Sequence, residues 1–245
     1  MPKMIRLAHR ALDLDPRSIS AAVVAANGHF NNEGLGFSTD PQFLLRKVSQ
    51  FDRSEAIRLS RLALSLDEND ERALSIAGVS ALFIDDYETA IDFVDRAVAT
   101  NPNSYIAWNF RAWVYQFAGR HEEAILSFET AIRVSPLNPL IHNNLAGIGY
   151  SLIELRRFDE AVAFFKRALR QNSSDGIAFR GLASALAHLG RDAEAREALA
   201  RLLEIDPAYP ISGRISRSGS FKLLYEGLRK AGGAGMRPRC ARGRS

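Results

Sequence analysis

Apolar residues recur every three or four positions along most of the chain, and small residues return at a much longer interval. Alanines stand at Ala56, Ala90, Ala124, Ala161 and Ala195, spaced by 34, 34, 37 and 34 residues. A second series, Ala63, Ala97, Ala131, Ala168 and Leu202, follows seven residues behind the first. Prolines close units at Pro16, Pro102, Pro136 and Pro207. The short period puts the apolar residues on one face of a helix, and the long one leaves room for two antiparallel helices per unit. Small residues at each crossing let helices approach, while large ones fill the hollows beside them. Asn101-Pro102-Asn103-Ser104 predicts a helix end followed by a cap, because proline lacks the amide that a continuing helix needs. Gly119 and Gly190 fall inside units, where a helix can end in the left-handed conformation. The chain is therefore predicted to be an all-α solenoid of about twelve helices.

The period divides the chain into a half unit at 3–16 and units at 18–69, 71–104, 105–138, 142–175 and 176–207. The unit at 18–69 carries an insertion at 30–51, read as a loop with one short helix around 43–49. Extra residues at Pro139–Ile141 interrupt the spacing and predict a local change of pitch. After Pro207 the period stops. In the segment 208–231, Phe221, Leu224, Tyr225 and Leu228 share one helical face and are expected to cover the exposed end of the stack. The run Gly232-Gly233-Ala234-Gly235 breaks that helix, and 232–245 reads as a disordered basic tail.

The unit from Tyr105 to Asn138 places Trp108, Tyr115, Ala124, Phe128, Ala131 and Pro136 where the tetratricopeptide repeat (TPR) consensus has its Trp, Tyr, small residues, Phe and Pro, with Arg111-Ala112 replacing the usual Leu-Gly pair. The next unit has Leu145, Ile148-Gly149, Leu152, Phe158, Ala161, Phe165 and Ala168 in the same frame. Over about residues 1–207 the chain resembles a TPR protein. The resemblance implies a right-handed superhelix and a non-catalytic protein–protein interaction module. Its first helices would line a concave groove that takes a peptide or partner helix. On the matching positions that groove contains Arg72, Phe83, Asn109, Trp113, Phe117, Asn143, Tyr150, Arg180 and His188. Phe83, Trp113 and Phe117 suit packing between units equally well, since aromatics serve both cores and interfaces. Asn109, Asn143 and Arg180 resemble part of the TPR subtype that clamps a C-terminal carboxylate, but its lysines are missing, which argues against that ligand.

A closer likeness lies in Leu203-Glu204-Ile205-Asp206-Pro207 and Glu226-Gly227-Leu228-Arg229-Lys230-Ala231-Gly232. These endings resemble the C-terminal TPR half of bacterial signalling proteins with a class III adenylate/guanylate cyclase or winged-helix domain before the repeats. That likeness implies a scaffolding or sensory part. The alternative it carries is a nucleotide-cyclase fragment whose catalytic domain lies upstream. The mid-unit start fits a fragment, and it predicts weak stability or self-association through the unfinished N-terminal end.

Composition changes the picture little: of 245 residues, 47% are hydrophobic and 24% charged, too apolar for intrinsic disorder. Charge changes it more. The net charge of +4 and pI near 9.4 invite a polyanion as partner, but the nine basic residues after Pro207 face only Glu226 there. The preceding 207 residues hold twenty-three basic against twenty-seven acidic side chains. Nucleic-acid or anionic-surface binding thus depends on the tail alone, which lacks interleaved aromatics, and is disfavoured. Cys240 is the sole cysteine, excluding an internal disulfide. Ala73–Ile84, the longest weakly polar stretch, is too short to span a bilayer, and the N-terminus has no apolar signal core, so a cytoplasmic location is expected. His9, His29, His121, His142 and His188 include no pair spaced by four, so no metal site is predicted. Gly34 and Gly36 lack the third glycine of a nucleotide loop, and no serine has the setting of a catalytic elbow. Neither a cofactor nor a catalytic constellation is expected.

Overall fold

Helix follows helix along the chain. The computed structural model describes residues 3–30, 49–207, 209 and 221–232, without the side chains of Phe30 and Phe83. Its α-helices are α1 (Lys3–Leu14), α2 (Ile19–Phe30), α3 (Gln50–Leu66), α4 (Glu71–Ala81), α5 (Tyr87–Thr100), α6 (Tyr105–Phe117), α7 (His121–Val134), α8 (Ile141–Glu154), α9 (Phe158–Gln171), α10 (Gly176–His188), α11 (Asp192–Ile205) and α12 (Lys222–Gly232). A 3-10 turn, Leu82–Ile84, extends α4, and no strand occurs among the described residues. The even-numbered helices α2 to α10 are the first helices of successive units, and α3 to α11 are the second. The insertion expected at 30–51 lies almost wholly outside the described residues, as does the tail beyond Gly232.

Local sequence starts and stops these helices. Ser49, Asp70, Asp86, Ser104 and Asp175 each accept a hydrogen bond from a first-turn amide of the helix that follows. The turns inside the four units from 71 to 207 place Asp85, Gly119, Arg156 and Gly190 at φ 57°, 81°, 60° and 72°, one left-handed residue at the same point of each. The periodic alanines Ala56, Ala90, Ala124, Ala161 and Ala195 are fully buried at the crossings. Phe128 and Phe165, also fully buried, fill the space between them. Phe165 lies so close to Gly149 and Gly181 that a Cβ at either would fall within 2.6 Å of its ring.

Arg111, which replaces the consensus Leu, makes a polar joint between three helices. Its guanidinium donates to Asp95 of α5 at 2.7 Å, to Ser127 of α7 at 2.6 Å, and to the Tyr115 hydroxyl at 3.0 Å. The Tyr115 hydroxyl in turn donates to Asp95 at 2.8 Å.

Two elements depart from the expected layout. The extra residues before α8 lengthen the turn between α7 and α8, where Asn138 Oδ1 accepts from the Leu140 amide at 2.9 Å. The second departure is larger. The helix expected to close the end of the stack does not stack on α11 as a further unit would. It lies across the inner face, mainly against α10, with smaller contacts to α11 and α8. Its apolar face was expected to cover the end of the stack; Phe221, Leu224, Tyr225 and Leu228 are instead buried within the array. The cause is visible at Gly227, whose missing side chain lets α12 touch the Ser184 backbone on α10.

Candidate functional site

Each first helix turns a polar-and-aromatic strip toward the inside of the array, and these strips form two regions. The C-terminal region is filled by the chain itself. Phe221 packs between Phe117 of α6 and Tyr150 of α8, with ring centroids 5.0 and 6.2 Å apart. Glu154 accepts hydrogen bonds from the Leu224 and Leu223 amides at 3.1 and 3.4 Å, so a carboxylate caps the start of α12. Burial pushes the Glu154 carboxyl up to about 7; these two amides and Arg156 pull it partly back, and Glu226 adds to the rise. His188 donates from Nε2 to the Leu223 carbonyl at 2.8 Å and stacks on Phe158 with centroids 4.5 Å apart. Its Nδ1 faces the Lys230 ammonium at 3.4 Å. Arg180, 1% exposed, donates to the Tyr150 hydroxyl at 2.7 Å and to Tyr209 at 2.9 Å, and its guanidinium covers both rings.

Among the described residues, the N-terminal region is open. A pocket of about 570 Å³ lies between α2, α4, α6 and the lengthened turn before α8. Val23, Val24, Ile76, Ile106, Phe110 and Leu140 make its walls apolar, and Asn27, Arg72, Asn109 and Asn138 supply its polar edges. Val24 is 39% and Ile106 43% exposed, an unusual state for β-branched residues facing inward. The Arg72 guanidinium is exposed and donates to Ser20 of α2 at 3.2 Å, while Asn109 donates to Asn144 at 2.6 Å within the wall. The lengthened turn thus has a specific result: its Asn138, Pro139 and Leu140 close one side of this pocket.

The nine groove residues expected from the repeat frame therefore separate. Arg72 and Asn109 line the open pocket. Phe117, Tyr150, Arg180 and His188 lie on the inner face but meet Tyr209, Phe221, Leu223 and Lys230 of the same chain. Trp113 is 2% exposed and packs edge-on to Phe128 of its own unit at 5.0 Å, and Asn143 is 3% exposed in α8. The side chain of Phe83 lies outside the described ones. The repeat frame begun at Arg72 omitted α2, although Ser20, Val23 and Asn27 repeat the spacing of Arg72, Ser75 and Val79. The insertion hid that register. Two histidines with no sequence relation, His9 and His29, meet across α1 and α2 with ring nitrogens 3.0 Å apart.

Comparison with known proteins bears on the repeat itself. The tetratricopeptide repeat family matches residues 105–136 and, in a second form, 147–210. The protein prenyltransferase alpha subunit repeat matches 87–118, a span covering α5 and α6. Among curated proteins, the chain is 28% identical over 111 residues to the small glutamine-rich tetratricopeptide repeat-containing protein 2 of Mycosarcoma maydis, covering 45% of this chain and 31% of that one. It is 25% identical over 190 residues to the peroxisomal targeting signal receptor of Eremothecium gossypii, covering 71% of this chain and 33% of that protein. The chain spans only 23–33% of the length of the curated relatives it matches. Among solved structures, a chain of the APC/C hetero-tetramer Cut9-Hcn1 superposes with a TM-score of 0.69 at 17% identity, over 92% of this chain and 39% of that one. No helix among the described residues is long and apolar enough to cross a membrane. Taken with the helical pairs and their buried alanines, these matches identify the units at 105–136 and 147–210 as tetratricopeptide repeats, and the fold as an all-α TPR solenoid.

Proposed function

We propose that this chain is a protein-binding module whose open inner pocket takes an amphipathic helix from a partner protein. The observation that carries this reading is the occupied half of the same face. There an amphipathic helix, α12, already lies on the first helices, with Leu223, Leu224 and Leu228 buried and Lys222, Arg229 and Lys230 outward. The open half offers the same type of surface, an apolar wall with amides at its edge. The Eremothecium gossypii relative is named as a receptor for a targeting signal, which agrees with recognition of a segment of another protein. The finer placement, as a scaffolding or sensory part of a cytoplasmic bacterial signalling protein, is supported by the endings at 203–207 and 226–232 alone. Reading the DNA upstream of the first codon for a cyclase or winged-helix frame tests it.

Selection of binders from a random peptide library on the full chain tests the pocket. Selected peptides should carry apolar residues at i, i+3 or i+4, and i+7, and should lose at least tenfold in affinity for Ile106→Glu and Val24→Glu. Peptides without helical spacing, or binding indifferent to both substitutions, would overturn the reading.

A further inference from the structure

The open N-terminal end of the array holds a cluster that the groove does not use. His9 of α1, His29 of α2 and Glu55 of α3 bring one nitrogen or oxygen each to within 4.8 Å of one another. Behind them stands a second set of contacts. Ser49 caps α3 by accepting from the Asp52 amide at 3.1 Å, and its hydroxyl donates to Asp52 Oδ2 at 2.5 Å. Asp52 Oδ1 then accepts from His29 Nδ1 at 2.7 Å. With Nδ1 engaged by a carboxylate, the buried His29 ring turns Nε2 toward His9 Nε2, 3.0 Å away. Arg58 holds both Glu55 oxygens, donating from Nε at 3.1 and 3.2 Å and from Nη2 at 2.9 Å, which fixes the orientation of the carboxylate.

We propose that His9, His29 and Glu55 form a binding site for a divalent transition-metal ion, with zinc the ion that two imidazoles and a carboxylate fit best. Zinc–nitrogen bonds of about 2.0–2.1 Å at a tetrahedral angle hold two ligand nitrogens about 3.3 Å apart, so the rings need open only a few tenths of an ångström. Asp52 behind His29 and Arg58 behind Glu55 are the outer partners that orient metal ligands. The ion would join three helices where the apolar contact is thin. On α1 only Ile5 and Ala8 are buried, while Met4, Leu7 and Leu14 are 47%, 56% and 82% exposed.

Zinc titrated into the metal-free full chain, with Cys240→Ser in every sample to silence the lone thiol, tests the site. Calorimetry should find one ion per chain, and the melting midpoint should rise with zinc. His9→Gln and Glu55→Gln, both at partly exposed positions, should each weaken binding at least tenfold with helix content unchanged. Asp52→Asn should weaken it by about 10–100-fold through His29. No saturable binding, or equally tight binding in His9→Gln and Glu55→Gln, would overturn the proposal.

Discussion

Gly227 and Glu154 decide, residue by residue, whether α12 stays on the inner face. A Cβ at Gly227 would lie 2.2 Å from Ser184 Oγ and 2.6 Å from the Ser184 carbonyl. The hydroxyl can rotate away but the carbonyl cannot, so Gly227→Ala should lift α12 at a cost of about 1–3 kcal/mol. Hydrogen exchange should then show lost protection over 222–232 with α4 to α9 unchanged; retained protection would mean that the contact is soft. Glu154 acts through protons. Its carboxyl rises from the ordinary 4.5 to about 7 when buried against α12, so the docked state takes up a proton. That contribution to docking is complete below about pH 4.5, and it is lost as pH rises toward 7. Thermal midpoints compared at pH 5 and pH 8 should fall less in Glu154→Gln than in the parent chain. Arg156, Glu226, His188 and Lys230 surround the same carboxyl and are present in both proteins, so the difference belongs to Glu154.

At the level of helices, the repeat works through a few contacts that recur in every unit. Phe165 is 0% exposed and touches Gly149 and Gly181 on successive first helices. Phe165→Ala should therefore loosen two units together and cost about 3–5 kcal/mol in chemical denaturation. Gly119, at φ 81°, carries the left-handed turn between α6 and α7, and Gly119→Ala should cost about 1–2 kcal/mol by the same measurement. Asp85 and Arg156 hold the equivalent position with φ 57° and 60°, so glycine is preferred at this turn but not required. The helices, their caps and these turns were legible in the sequence because each depends on neighbours within a few residues. The α7–α8 turn was legible only as extra length; that it walls a pocket depends on α2 and α4, which lie far earlier in the chain.

For the whole molecule, the central fact is an inner face half filled by the chain's own C-terminal helix. A tethered helix reaches an effective concentration on the order of millimolar, so free peptides at micromolar levels compete poorly for its place. A labelled peptide of residues 221–232 should bind a chain ending at Pro207 and not the full chain. Equal binding to both would show that α12 is not held where the structure has it. The aromatics Phe117 and Tyr150 explain why this was not foreseen. An inward aromatic on a first helix has the same residue type and spacing whether it awaits a ligand, packs on the next unit or receives Phe221.

The sequence by itself determined the repeat, its helical pairs, the small residues at their crossings and the caps that divide them. These follow from interactions local in the chain, and a periodic pattern states them several times over. Only the tertiary structure decided that α12 lies across α10 rather than beyond α11, and that His9, His29 and Glu55 meet. Both outcomes rest on contacts between residues 20 to 70 positions apart, as in His9 with His29 and Leu224 with Glu154. Such contacts depend on the angle at which whole helices cross, and no periodicity of the chain encodes that angle.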